Sequence, residues 1–135
     1  SGVGRKANLT LAYVDRVLGH YRRVREILRV DMEGMALDQD SRMAIYGAGE
    51  MGELMYLVLR DMGVTQVDFF DINGGHSFLG TTVRDLGSIQ PDEYVKVMVA
   101  FSSDIAGKRA DLRSNGVDDS KIITFLRASE AAEVT

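Results

Sequence analysis

The chain contains no cysteine, a single proline, only two histidines and no long hydrophobic run among its 135 residues. Without cysteine there can be no disulfide framework, thiol nucleophile or cysteine-ligated metal site. A reducing, cytoplasmic setting is compatible with that. No apolar stretch approaches the roughly 20 residues that a membrane-crossing helix needs, and no signal-peptide pattern opens the chain. The first residues, Ser1 and Gly2 with no initiator Met, resemble a cleavage scar or an excised fragment, as expected of one domain of a longer protein. What is present, 45% hydrophobic and 27% charged residues, suits one soluble globular domain with a sizeable core.

Charge is unevenly placed. Residues 1–30 hold seven basic residues against two acids, a net +5, and the nine basic and eighteen acidic residues of the remainder leave −9. The N-terminal segment is thereby marked as a separate piece of design. No proline lies between Leu9 and Ala36, and apolar residues recur at Leu9, Tyr13, Val17, Tyr21, Val24, Leu28 and Met32, in steps of three and four. That spacing predicts one long amphipathic helix, on the order of 40 Å. Its arginine-rich outer face reads as solvated, and its single apolar stripe suits a homodimer through residues 9–36. Nucleic acid would be bound only through regions outside this chain.

The most informative stretch runs from Met43 to Asp71 and reads as strand, glycine turn, helix, strand. Met43 to Tyr46 is a short apolar run fit for a buried parallel strand. Gly47, Ala48, Gly49, Glu50, Met51 and Gly52 then match G-x-G-x-x-G, in which the glycines serve a tight turn, close approach of a ligand to backbone, and close helix-on-strand packing. A helix follows with Leu54, Leu57, Val58 and Met62 expected on one face, and Gly63 as its C-terminal cap. Thr65 to Phe70 is rich in β-branched and aromatic residues and leads to Asp71, 19 residues beyond Gly52. An acid there is placed to hold an unphosphorylated ribose. Two readings stand together at this point: a nucleotide site, or glycines that only permit tight packing beside an Asp71 that caps the loop Ile72 to Gly75. The carboxylate of Glu50, at the positive end of the helix dipole, would oppose a bound pyrophosphate.

Further along, the loop from Asn73 to Ser77 is expected beside the site. His76 reads as a loop residue, because no acid, serine or second histidine is placed to complete a catalytic set. Phe78 to Val83 precedes a short helical turn at Asp85 to Ile89. Tyr94 to Phe101 is a second central strand, Ile105 to Asn115 a helix closed by Gly116, and Lys121 to Phe125 a last strand. Strand ends in open α/β sheets carry the ligands. Phe101, Ser102 and Ser103 therefore join Gly47–Gly52, Asp71 and Ile72 as candidate binding residues, the two serines doubling as caps for the next helix.

The segment from Met43 to Phe125 resembles the small Rossmann-like domains of bacterial polysaccharide and glycan biosynthesis proteins. Such domains occur ahead of nucleotide-sugar dehydratases and epimerases and of sugar acetyltransferases. The resemblance is carried by IYGAGEMG, FFDIN, FLGTTV, VMVAFSSD and LRSNGVDDSKIITF, about three fifths of the chain. It implies a site for a nucleotide, an NAD-type cofactor or a nucleotide-sugar at Gly47, Gly49, Gly52 and Asp71. Family members carry a catalytic domain alongside, and this chain has neither that nor the Tyr-x-x-x-Lys pair of short-chain dehydrogenases. The expectation is an α/β, Rossmann-like parallel sheet with helices on both faces, preceded by the long helix. Its parts are 1–41, helix and linker; 42–126, nucleotide-binding domain; and 127–135, tail. Three functions fit: non-catalytic binding or sensing of a nucleotide, an NAD-type cofactor or a nucleotide-sugar in polysaccharide or glycan biosynthesis or its regulation; the cofactor-binding fragment of an NAD-linked oxidoreductase or nucleotide-sugar modifying enzyme; and a dimerising regulatory or scaffold module of a transcriptional regulator.

Overall fold

A computed structural model describes the backbone of residues 2–31, 40–101 and 103–124, with side chains from residue 15 onward except those of Val17 and Asp31. Ser102, residues 32–39 of the linker and the 127–135 tail lie outside the described residues. Among the described residues the chain runs α1 (Gly2–Asp31), β1 (Arg42–Tyr46), α2 (Glu50–Asp61), β2 (Gln66–Asp71), β3 (Ser77–Phe78), β4 (Thr81–Thr82), β5 (Arg84–Asp85), β6 (Lys96–Val99), α3 (Ile105–Ser114) and β7 (Ile122–Thr124). Single 3-10 turns at Leu86–Ser88, Pro91–Glu93 and Asp119–Lys121 fill the connections.

Five strands make one parallel sheet in the order β5-β2-β1-β6-β7, and β3 and β4 form a separate antiparallel hairpin. With the hairpin set aside, the order is the 3-2-1-4-5 of a doubly wound sheet. Ile45 sits opposite Phe69 on one side and Met98 on the other, so the central strands are in register through their apolar middles. The strand period of two then splits the core cleanly. Met43, Ile45, Phe69, Met98 and Ile123 face α2 and α1. Ala44, Tyr46, Phe70, Val97, Val99 and Ile122 face α3 and the first 3-10 turn. The chain is therefore a Rossmann-like parallel sheet covered by helices on both faces.

Local sequence explains most of the boundaries. The amides of Gly63 and Val64 donate back to Arg60 and Leu59, and those of Gly116 and Val117 to Arg113 and Leu112. Each set closes a helix with the paired hydrogen bonds of a Schellman end, and each puts an apolar contact beneath it. Leu57 departs from the expectation. It is exposed, and Met55 and Leu59 join Leu54 and Val58 on the buried face. At about 100° per residue, those four span one stripe to which Leu57 does not belong.

Helix α1 begins earlier than its apolar spacing suggests, because Arg5, Lys6 and Ala7 are good helix formers that extend it without adding stripe residues. Val24, Ile27 and Leu28 are buried in the domain's own core. The second half of the stripe thus covers α2, and the homodimer expected through residues 9–36 would have to draw on Leu9, Tyr13 and Val17, whose side chains lie outside the described residues. The two helices run parallel. Arg16 reaches Glu50 at the start of α2, while Tyr21 and Arg25 both hydrogen-bond Asp61 at its end.

Two buried phenols tie the other face together. Tyr46 donates to Asp111 Oδ2 at 2.9 Å, and Tyr94 to Asp68 Oδ2 at 2.7 Å, where Arg42 Nη2 also binds at 2.7 Å. Burial first, then those hydrogen bonds, push both phenols above their ordinary value of about 10. The native state therefore keeps protons that the unfolded chain loses in alkali, so this stability is complete below about pH 10 and declines as the pH rises above it. Urea midpoints should agree at about pH 8 and about pH 9 and fall by about pH 11. A midpoint that holds at the highest pH, or that recovers none of its loss in Tyr46→Phe, would remove this explanation.

Candidate functional site

In a parallel sheet the strands' carboxyl ends share one rim, and a crevice opens where the chain leaves neighbouring strands toward opposite faces. Here that place lies between β1, which leads into α2, and β6, which leads into α3. Gly47 follows β1 with φ +123°, a conformation that side chains rarely adopt, and a Cβ there would lie 2.8 Å from the Ala100 carbonyl oxygen. Its amide donates to Phe70 O at 2.9 Å, locking the turn to β2. Gly52 is packed tighter still: a Cβ would stand 2.2 Å from Gly47 O. Gly49, by contrast, has nothing within 4 Å of its would-be Cβ. It is the N-cap of α2, and with no side chain it leaves the first-turn amides of that helix approachable. The three glycines thus do three different things: turn, exposure of backbone, and helix-on-strand packing.

A cavity of about 400 Å³ opens over this turn. Gly47, Ala48, Gly49, Glu50 and Met51 form its floor, Asp71 one end, and Ala100, Phe101 and Ser103 the side toward β6. Asp71 is anchored through both oxygens: Oδ2 accepts from Ala48 N–H at 3.3 Å and Oδ1 from Ile72 N–H at 2.8 Å. Each oxygen retains a second acceptor position. The Phe101 ring is held edge-on to Tyr46, with centroids 5.0 Å apart, and Lys108 Nζ lies 4.3 Å from its centroid. These two contacts fix the ring beside the cavity.

The remaining wall comes from an unexpected source. Arg16 and His20, on α1, also line the cavity, more than two dozen residues ahead of the glycine turn. Their i, i+4 spacing puts them on one helix face, a relation readable in the sequence. Which distant element that face meets is not. Arg16 Nη2 lies 3.4 Å from Glu50 Oε1, and both side chains are more than half exposed. Glu50, the carboxylate expected to oppose a bound pyrophosphate, is thus paired with Arg16 in the free protein.

Other expected residues fall outside the cavity. Gly52 acts from within the packing beneath the turn. Ile72 is 56% exposed and is not part of the lining. The loop at 73–77 is tied to the sheet edge instead of the site, with Gly74 N–H on Asp85 Oδ1 at 2.8 Å and Gly75 N–H on Val83 O at 2.7 Å. His76 stays exposed there. The N-cap of α3 is Asp104, not a serine, so Ser103 lines the cavity without capping the helix. Ser102 lies outside the described residues.

No protein-family model matches this chain, and no curated protein does. Among the described residues no helix is long and apolar enough to cross a membrane, and no group of three His, Asp or Glu side chains is placed to hold a metal ion. The cavity combines open backbone amides at a helix start, a carboxylate with spare acceptor positions, an aromatic ring, a guanidinium and an imidazole. Such a set can grip a ligand that has an anionic middle, a hydroxyl-bearing end and a flat ring.

Proposed function

We propose that the chain binds a nucleotide, an NAD-type dinucleotide or a nucleotide-sugar in this cavity, and that it positions or senses that ligand without transforming it. The observation that carries the reading is the unequal crowding of the three glycines. Gly47 and Gly52 are needed by the fold, whereas the packing makes no demand for glycine at Gly49, where the missing side chain leaves room for a ligand over the start of α2. The volume of about 400 Å³ falls within the usual range for small-molecule sites. Asp71 supports an unphosphorylated ribose and disfavours a 2′-phosphate, which it would repel. The resemblance carried by IYGAGEMG, FFDIN and VMVAFSSD supports a ligand of bacterial polysaccharide or glycan biosynthesis or its regulation.

A thermal-shift series with NAD, NADP, UDP, UDP-glucose and GDP-mannose tests this. A ligand held only by the folded state at about one hundred times its Kd adds roughly 2.7 kcal/mol, several degrees for a domain of this size. NAD or a UDP-sugar should give that shift and NADP less than NAD. A flat series at millimolar ligand would end the nucleotide reading.

A further inference from the structure

The charge around the cavity is not balanced for a phosphate by the glycine turn alone. Glu50 and Glu53 occupy the first turn of α2, and Asp71 closes one end, so the carboxylates near the helix start offset the positive end of its dipole. Among the described lining residues, the cationic side chain is Arg16, with the imidazole of His20 one turn along the same helix. Both belong to α1, which is packed on the opposite sheet face from Phe101. We propose that α1 carries the anion-recognising half of the site: on ligand entry the Arg16 guanidinium exchanges its contact with Glu50 for the ligand's diphosphate, with His20 as a second donor.

The inference rests on the nucleotide reading and adds a consequence to it. A guanidinium fork matches phosphate oxygens better than it does a single carboxylate oxygen 3.4 Å away in open solvent, so the exchange is favourable. Glu50 then acts as a stand-in anion that keeps Arg16 over the empty cavity, and the ligand bridges two elements that otherwise meet through Val24, Ile27, Leu28 and the Asp61 contacts. Occupancy would be felt along α1.

The test uses the full chain with ADP and adenosine as probes, followed by titration calorimetry. Arg16→Gln should weaken ADP roughly tenfold or more and leave adenosine unchanged, as expected for loss of a charged hydrogen bond to phosphate. Glu50→Gln should tighten ADP severalfold, because a competing anion is gone. Both side chains are more than half exposed, and equal melting temperatures of the free proteins verify that folding is unaffected. If the unaltered chain binds ADP and Arg16→Gln binds it as well, the role given to α1 is overturned and the nucleotide reading stands. If Arg16→Gln weakens adenosine as much as ADP, the residue shapes the cavity and does not read phosphate, which also overturns the proposal. If the unaltered chain binds neither ADP nor NAD nor UDP-glucose, both fall.

Discussion

Gly52→Ala should destabilise the domain by about 3 kcal/mol or more, the largest effect expected from adding one methyl group anywhere in the glycine turn. The new Cβ would stand 2.2 Å from the Gly47 carbonyl oxygen. The obstacle is backbone, and it belongs to a residue whose own amide is bonded to β2, so no rotamer change relieves it. Either α2 lifts from β1, uncovering Leu54, Met55, Val58 and Leu59, or the turn itself shifts. Gly49→Asp, three residues away in sequence, carries the opposite expectation. Its side chain enters open space at an N-cap, where Asp is among the favoured residues, so chemical denaturation should show stability unchanged or slightly raised. The same carboxylate would occupy the place of the ligand phosphate, and nucleotide affinity should fall about a hundredfold. A Gly49→Asp protein that still binds nucleotide normally would show that the open space at Gly49 serves no anion. A Gly52→Ala protein as stable as the parent would show that the close packing of α2 on β1 has been misjudged.

Leu28→Ala is the second large effect. Leu28 is fully buried with Val24 and Ile27 between α1 and the rest of one core layer, although its helix precedes the first strand by a linker. Truncating a buried leucine costs about 2–5 kcal/mol, depending on how far the site collapses. The matching change at Leu18, which is 45% exposed on the same helix, should cost less than about 0.5 kcal/mol. Urea midpoints of the two variants measure the contrast. Equal, small losses would mean that α1 is an attachment to the domain; the expected difference makes it part of the fold.

The places where sequence reading succeeded and failed follow from the range of the interactions involved. The β1 strand, the glycine turn, α2 and Asp71 were legible because each is decided by neighbours within about twenty residues: alternation, turn chemistry, capping and a fixed spacing. Strand ends were read one or two residues long, as at Tyr94 to Phe101, where the ladder covers only Lys96–Val99. The hairpin of β3 and β4 was not anticipated, since Ser77 to Thr82 carries no strong alternation and its pairing is held by backbone bonds such as Gly75 to Val83. Leu57 was misplaced because the unbroken apolar run from Leu54 to Leu59 leaves the helix phase ambiguous until the partner is known. Arg16 and His20 were missed for a different reason. Their role depends on α1 lying parallel to α2 with its basic face at the rim, a tertiary relation that no local periodicity encodes.

The outer strand on the β2 side has a consequence for self-association. β5 is two residues long, Arg84 and Asp85. The guanidinium of Arg84 lies over the Phe70 ring, 5.2 Å from its centroid, and the Asp85 carboxylate accepts from Gly74 N–H at 2.8 Å. An incoming strand would find almost no ladder to extend and two charged side chains already engaged, which is how natural sheets avoid edge-to-edge growth. On that side the domain is protected against templating another chain into a continuous sheet, and copies of it can crowd together without seeding fibrils there.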